Sequence, residues 1–229
     1  MKRNLLKYAS FLFVLSVCVL ALPSLATAQA KKANLQQPST FNATAPDVYQ
    51  VNVNTTSGAF VLEINRAWAP LGADRFYNLV VSGYFTDVAF FRAISGFMVQ
   101  FGIHGDPAVS KAWRSAKIRD DRVVQSNMTG FLTFATAGEH TRTTQMFINY
   151  ADNIRLDSMG FAPIGKVIKG MELVNSLYTG YGEGAPSGRG PSQDRMQMEG
   201  NVYLKKDFPM LDYIKSMTIV KSKKASKKR

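Results

Sequence analysis

The sequence predicts a mainly β domain: an antiparallel barrel that closes on itself and carries two α-helices. Short apolar runs, several of them alternating with polar residues, recur from residue 48 to residue 220 between turn-forming residues, a pattern typical of all-β folds. Only two short stretches show the three-to-four-residue apolar spacing of a helix. Many strands with few helices favour a closed barrel, because closure leaves no strand edge unpaired.

The first predicted elements are a β-hairpin and a helix. Two alternating runs, residues 48–54 and 59–64, flank the turn at residues 55–58, Thr-Thr-Ser-Gly, and together they predict a hairpin. A helix is predicted to begin at Pro70, because proline is well tolerated at the first helical position. The same helix is predicted to end at Gly83, since glycine readily adopts the left-handed conformation that ends helices.

The rest of the domain is predicted to contain further strands, one more helix and two irregular segments. The second short helix covers residues 170–178, while the polar residues 102–128 and the Gly/Pro-rich residues 180–191 predict surface loops. No change in composition marks a boundary inside residues 46–220, so we expect one domain. The further strands are predicted at residues 88–94, 97–101, 131–135, 145–149, 164–168 and 213–220.

The two ends of the chain differ in composition from this domain. Residues 1–30 combine a basic start, a short apolar run and small residues, and they predict a signal peptide that leaves no transmembrane anchor after cleavage; a retained signal anchor is the lesser alternative. We therefore expect export to the periplasm or the exterior, with a secretory-pathway lumen as the alternative. Residues 31–46 are polar and predict a linker. Residues 221–229 predict a basic, disordered tail, with contact to a polyanion as the alternative.

The net charge of +12 lies at the termini rather than on the domain. Ten of the 28 basic residues and none of the 16 acidic residues fall within residues 1–30 and 215–229, so the domain is close to neutral. We therefore expect no nucleic-acid binding, which takes a basic surface. The only cysteine, Cys18, lies in the predicted signal peptide, and the two histidines, His104 and His140, have no partner at metal-ligand spacing. These features exclude thiol catalysis and disfavour a metal site.

One charged residue interrupts an apolar run. Arg92 stands within residues 90–100, which read Phe-Phe-Arg-Ala-Ile-Ser-Gly-Phe-Met-Val-Gln. A buried guanidinium without a partner is costly, because it stays charged at physiological pH. Either the strand exposes Arg92 to water, or the arginine faces a ligand, and this segment alone leaves both possibilities open.

Two further segments accompany this run in a specific order and spacing. Residues 130–138 and 143–148 read Gly-Phe-Leu-Thr-Phe-Ala-Thr-Ala-Gly and Thr-Thr-Gln-Met-Phe-Ile, and residues 156–172 follow after a short gap. Together with residues 90–100, they resemble the cyclophilin family of peptidyl-prolyl cis-trans isomerases. The resemblance spans residues 47–178, and the rest of the domain is similar to a C-terminal extension of some exported bacterial cyclophilins.

The resemblance implies a fold, a reaction and a kind of substrate. The fold would be a closed eight-stranded antiparallel barrel with two α-helices, formed by residues 47–220, in which residues 181–212 are a long loop extension. The reaction would be cis-trans isomerisation of X-Pro bonds in exported proteins, as an aid to folding, by a monomer that needs no cofactor or metal. The alternative is a chaperone or module that binds proline-containing segments without catalysis.

The resemblance also assigns the residues of the site. Arg92 is similar to the catalytic arginine, and Gln100, also assigned to catalysis, would orient Arg92 and the substrate. At the rim, Arg155 and Phe161 replace the residues that are common in the family, which makes binding of cyclosporin-type ligands doubtful. The residues that would bind the proline-containing polypeptide are Phe97, Met98, Ala135, Thr136, Ala137, Gln145, Phe147, Leu156 and Phe161.

Overall fold

The computed structural model describes residues 34–220, so the predicted signal peptide and the predicted basic tail lie outside the described residues. The described part contains nine β-strands and four α-helices. The strands are β1 (Val48–Thr55), β2 (Ala59–Asn65), β3 (Val88–Ala89), β4 (Arg92–Ile94), β5 (Met98–Phe101), β6 (Phe131–Phe134), β7 (Met146–Asn149), β8 (Pro163–Lys169) and β9 (Tyr213–Val220). The helices are α1 (Pro70–Val81), α2 (Pro107–Arg114), α3 (Met171–Ser176) and α4 (Gln193–Asp207).

All nine described strands belong to one antiparallel sheet, in the order β3-β9-β1-β2-β8-β6-β7-β5-β4. The prediction of a closed eight-stranded barrel is therefore wrong in strand count and in closure. Among residues 34–220, the end strands β3 and β4 form no ladder with each other, and the sheet is an open half-barrel. The cause lies in the predicted strand 88–94. Its first part pairs with β9 and its last part with β5, so one apolar run becomes two strands.

Phe90 and Phe91 carry the chain from one edge of the sheet to the other. The Phe90 N–H donates to the Asp212 carbonyl oxygen, beside β9, at 2.9 Å, and the Phe91 N–H donates to the Gln100 carbonyl oxygen in β5 at 3.1 Å. Both aromatic side chains are buried. The chain itself thus joins the two edges, although no ladder runs between them.

The predicted hairpin and the first predicted helix are both present. β1 and β2 pair with Val51 opposite Leu62, and alternate residues of both strands are buried. α1 covers the predicted stretch, and the following Gly83 has a φ of 75°, in the left-handed region that favours glycine. α1 buries its apolar face, including Phe76, in the main core.

The prediction of two helices is wrong, because residues 34–220 contain four α-helices. α2 lies within the segment predicted to be irregular, and the Asp106 carboxylate caps it by accepting a hydrogen bond from the Ala108 N–H at 2.8 Å. α4 lies within the predicted loop extension. Gly200 has a φ of 60° and a ψ of −144° inside α4, and this kink interrupts the apolar spacing by which a helix is recognised.

Three groups of buried apolar side chains organise the described residues. The largest lies between the sheet and α1. A second group joins α4 to β3 and β9, and it includes Phe91, Met196, Tyr203 and Tyr213. The third is small and consists of Met98, Phe147 and Leu156, with a few partly buried neighbours. We call this third group the apolar floor.

Candidate active site

The residues that the sequence assigns to the site line a groove above the apolar floor. Its cavity measures about 440 Å³. All eleven predicted site residues line it: Arg92, Phe97, Met98, Gln100, Ala135, Thr136, Ala137, Gln145, Phe147, Leu156 and Phe161. The groove also has five lining residues that the sequence analysis did not assign to binding or catalysis: Thr141, Thr143, Arg155, Met159 and Gln193.

Strand pairing brings the polar and apolar parts of the groove side by side. In the ladder between β4 and β5, Arg92 stands opposite Gln100, and in the ladder between β5 and β7, Gln100 stands opposite Phe147. Residues directly opposite each other in a ladder project on the same face of the sheet. Arg92, Gln100 and Phe147 therefore form one row across three strands, which explains how distant sequence segments build one site.

The apolar floor is almost completely removed from solvent. Met98, Phe147 and Leu156 are only 1%, 5% and 4% exposed. The partly buried Phe161 packs edge-on against Phe147, with ring centroids 5.8 Å apart, and Phe97 also contacts this group. The result is a concave apolar surface of the kind that binds small apolar groups.

A 3₁₀ helix, Ile154–Met159, supplies Leu156 to the floor. Side-chain hydrogen bonds hold this helix in place: the Asn153 amide donates to the Phe97 carbonyl oxygen at 2.9 Å and to Asn149 Oδ1 at 2.7 Å. Asp157, next to Leu156, accepts hydrogen bonds from the backbone and side chain of Asn127 at 2.9 and 2.8 Å. The floor thus depends on polar contacts outside the groove.

Arg92 faces the groove, which resolves the question that its sequence context leaves open. Its side chain is about four-fifths buried. Arg92 Nη1 donates to Gln100 Oε1 at 3.0 Å and lies 3.7 Å from the Met98 sulfur. Gln100 in turn donates from Nε2 to Gln145 Oε1 at 2.8 Å. A chain of hydrogen bonds therefore fixes a guanidinium at the edge of the apolar floor.

Glu183 is a partner of Arg92 that no pattern in the sequence predicts. Arg92 Nε and Nη2 donate to Glu183 Oε1 and Oε2, each at 2.7 Å, and these hydrogen bonds hold the pKa of Glu183 below its ordinary value. Glu183 lies in the Gly/Pro-rich segment after α3. It is the only acidic residue between Glu172 and Asp194. An isolated carboxylate in such a loop is the one sequence feature that could have indicated a role for Glu183.

The loop after β6 also lines the groove, through Ala135, Thr136 and Ala137. The Ala135 N–H donates to the Gln145 carbonyl oxygen at 2.9 Å, and the Ala137 N–H donates to Thr141 Oγ1 at 2.9 Å. Thr136 Oγ1 also bonds Thr141 Oγ1, at 2.8 Å. These two backbone donors are thus engaged within the protein, so substrate contacts from this loop fall to its other backbone groups.

The groove holds no evident metal site. Across residues 34–220, no group of three or more His, Cys, Asp or Glu side chains is arranged to hold a metal ion. In this same part of the chain, no helix is long and apolar enough to cross a membrane.

Comparison with known families gives one match over most of the domain. The family model described as cyclophilin type peptidyl-prolyl cis-trans isomerase/CLD matches residues 49–199. A curated relative, peptidyl-prolyl cis-trans isomerase A of Dickeya dadantii, is 33% identical over 132 residues, which cover 56% of this chain and 70% of the relative. A peptidyl-prolyl cis-trans isomerase of Streptomyces antibioticus is 33% identical over 137 residues, 56% of this chain and 81% of its own.

Solved structures show the same fold at lower sequence identity. A crystal structure of a Cryptosporidium parvum cyclophilin type peptidyl-prolyl cis-trans isomerase is similar with a TM-score of 0.55 and 21% identity, over 77% of this chain and 99% of that chain. A second structure of that protein, in the presence of the dipeptide Ala-Pro, is similar with a TM-score of 0.54 and 21% identity, over 76% and 99% of the two chains.

Proposed function

The chain belongs to the cyclophilin-type peptidyl-prolyl cis-trans isomerase family, and we propose that Arg92 catalyses rotation about X-Pro bonds of exported proteins in the groove above the apolar floor. The matched relatives are peptidyl-prolyl cis-trans isomerases by name, and the family model covers the strands that carry the groove. The proposal concerns how this chain performs the reaction and on which polypeptides.

The reaction is slow without a catalyst because the amide bond is conjugated. Rotation about it faces a barrier of about 18–20 kcal/mol. In the twisted state the conjugation is lost and the prolyl nitrogen gains a basic lone pair. A fixed guanidinium donor beside that nitrogen stabilises the twisted state more than either planar state, and only such a difference lowers a barrier.

The apolar floor meets the second requirement, which is to bind the proline side of the rotating bond and keep it fixed. A proline ring is apolar and compact, and Met98, Phe147 and Leu156 offer it a buried apolar surface. With the ring held, the carbonyl side of the amide turns. No proton is transferred and no covalent bond breaks, so the residues need only bind, orient and stabilise.

The observation that carries the proposal is the position of Arg92. Its Nη1 is held by Gln100 and at the same time lies 3.7 Å from the sulfur of Met98, a floor residue. One charged donor is therefore fixed directly beside the surface that would hold the proline ring. This arrangement suits stabilisation of a lone pair that develops on the ring nitrogen.

Replacement of the arginine tests the proposed mechanism. Arg92→Ala should reduce kcat/KM at least about tenfold, which corresponds to about 1.4 kcal/mol of transition-state stabilisation. The assay is NMR exchange between the cis and trans forms of a proline-containing peptide. Arg66→Ala is the matched control, because Arg66 forms the same two-bond pair with Asp74, at 2.7 and 2.9 Å, outside the groove. The control should keep the wild-type rate, and an unchanged rate in Arg92→Ala would refute the mechanism.

A second candidate function is binding of proline-containing segments without catalysis. The pair between Arg92 and Glu183 favours it, because the carboxylate occupies two guanidinium donors that a substrate could otherwise use. The same NMR experiment separates the two functions. Peptide shifts without faster cis-trans exchange in the wild-type protein would establish the binding module and exclude the isomerase.

The proposal that this protein is exported and acts on exported proteins rests on the composition of residues 1–30. They combine a basic start, an apolar run and small residues. Fractionation of cells that express the full chain tests it. We expect a protein shortened at its N-terminus in the periplasm or the medium. A full-length protein in the cytoplasm would contradict export, and a full-length protein in the membrane fraction would support the retained signal anchor.

A further inference from the structure

The segment between α3 and α4 is folded closely around the backbone of Glu183. The Gly190 N–H donates to the Glu183 carbonyl oxygen at 2.8 Å, and the Gly188 N–H donates to the Gly184 carbonyl oxygen at 3.0 Å. A Cβ atom at Gly188 or at Gly190 would collide with the Glu183 carbonyl oxygen. The glycines of this segment therefore allow its backbone to wrap closely around Glu183.

A backbone hydrogen bond within the segment orients the carboxylate of Glu183 toward the arginine. Its Oε1 accepts a hydrogen bond from the Gly184 N–H at 2.9 Å. Oε1 and Oε2 then each accept one hydrogen bond from Arg92 at 2.7 Å. Two parallel, short hydrogen bonds fix the plane of the guanidinium as well as its position, which a single bond cannot do.

The hydrogen bonds of Arg92 divide its donors between the protein and the groove. A guanidinium has five N–H donors. Glu183 takes two, Gln100 takes a third, and the Met98 sulfur accepts a fourth at 3.7 Å, so one N–H, on Nη2, remains for a substrate. Without Glu183, the remaining hydrogen bonds of Arg92, to Gln100 and to the Met98 sulfur, would both start from Nη1, and the guanidinium could rotate about that nitrogen.

We propose that Glu183 is a positioning residue for the isomerase reaction, which fixes the guanidinium plane of Arg92 so that its remaining Nη2 donor faces the twisted amide. This inference rests on the proposed function. A carboxylate also weakens the positive field of its partner, but the pair is partly exposed, with Glu183 39% exposed, and water screens that effect. The loss of orientation therefore outweighs the gain in field when the carboxylate is removed.

The test is Glu183→Gln, which keeps the length of the side chain and removes its charge. The matched control is Glu199→Gln, because Glu199 also forms a two-bond pair with an arginine, Arg195, at 2.7 and 2.9 Å, and is similarly exposed, but does not line the groove. Glu183→Gln should lower kcat about tenfold with little change in KM, because orientation of Arg92 matters most in the transition state. Glu199→Gln should match the wild-type protein in both constants.

A spectroscopic measurement separates positioning from a general structural effect. The Nε–H of Arg92 should give a sharp, shifted NMR signal in the wild-type protein and an exchange-broadened or lost signal in Glu183→Gln, while the backbone amide spectrum away from the groove stays the same. A kcat at or above the wild-type value, or an unchanged Arg92 Nε–H signal, would overturn the proposal. If the wild-type protein itself is inactive, the proposed function fails, and the Nε–H signal still decides whether Glu183 positions Arg92.

Discussion

The two sides of the groove are built in different ways. The apolar floor comes from β5, β7 and the 3₁₀ helix, and its three side chains are almost fully buried. The charged side consists of Arg92, on a strand of three residues at the end of the sheet, and Glu183, which lies 91 positions further along the chain. Packing stabilises the first side, and a few directed hydrogen bonds stabilise the second. The floor should therefore respond to changes of volume, and the charged side to changes of charge and orientation.

The largest expected effect is on the floor side. Phe147→Ala should lower the free energy of unfolding by about 3 kcal/mol or more, because it leaves a cavity beneath the groove. It should also weaken peptide binding. Denaturant unfolding with an unchanged m value measures the first effect, and NMR titration with a proline-containing peptide measures the second.

Phe161→Ala is the matched control for the floor. Phe161 is in edge contact with Phe147 but is only partly buried, so its removal should cost about 1 kcal/mol of stability. Equal losses of unfolding free energy in Phe147→Ala and Phe161→Ala would contradict the distinction between a buried floor and its rim. A loss in Phe147→Ala as small as that expected for Phe161→Ala would show that the floor relaxes around the missing ring.

The smaller expected effect concerns the carboxylate of Asp157, whose hydrogen bonds hold the 3₁₀ helix that supplies Leu156 to the floor. Burial raises the pKa of Asp157, while hydrogen bonds from Ser126 and Asn127 lower it, and the net result lies below its ordinary value of about 3.9. A depressed pKa gives stability that is present above the ordinary pKa and is lost as the pH falls through the folded-state value. The difference in unfolding free energy between the wild-type protein and Asp157→Asn should therefore be largest near neutral pH and should shrink below about pH 4.

Asp152 offers the matched control for this pH experiment. It accepts two hydrogen bonds from Thr129, which lower its pKa, and it does not line the groove. Asp152→Asn should show a similar pH trend, but only Asp157→Asn should weaken peptide binding, because Asp157 stands next to Leu156. A stability difference for Asp157→Asn that grows on acidification would contradict the assigned role.

The sequence was most informative where the site is local. Residues 90–100 contain both strands of one ladder, and within this single segment the resemblance assigned Arg92, Met98 and Gln100 to the site. The resemblance added Phe147 and Leu156, and the structure places all of the assigned residues in one groove. Spacing within a segment carries such information because a strand and a turn fix which side chains are neighbours.

The sequence was least informative where a contact joins distant segments. Glu183 has no periodic pattern around it, and its partner lies 91 positions away, so only the folded chain reveals the pair. The kink at Gly200 concealed α4 for a different reason, since it breaks the spacing on which helix prediction rests. The run at residues 88–94 reads as one strand because the pattern does not reveal that its two parts have different neighbours.

The place of β9 in the sheet has a consequence for the order in which the molecule can be assembled. Among residues 34–220, β9 is the last strand, yet it lies between β1, the first, and β3. A polypeptide emerges from a ribosome or a translocation pore with its N-terminus first. β1 can pair early with β2, but its other edge stays open until residues 213–220 have emerged. Completion of the sheet is therefore a late event, and a chain that stops short of β9 would leave the edges of β1 and β3 that pair with β9 without a partner.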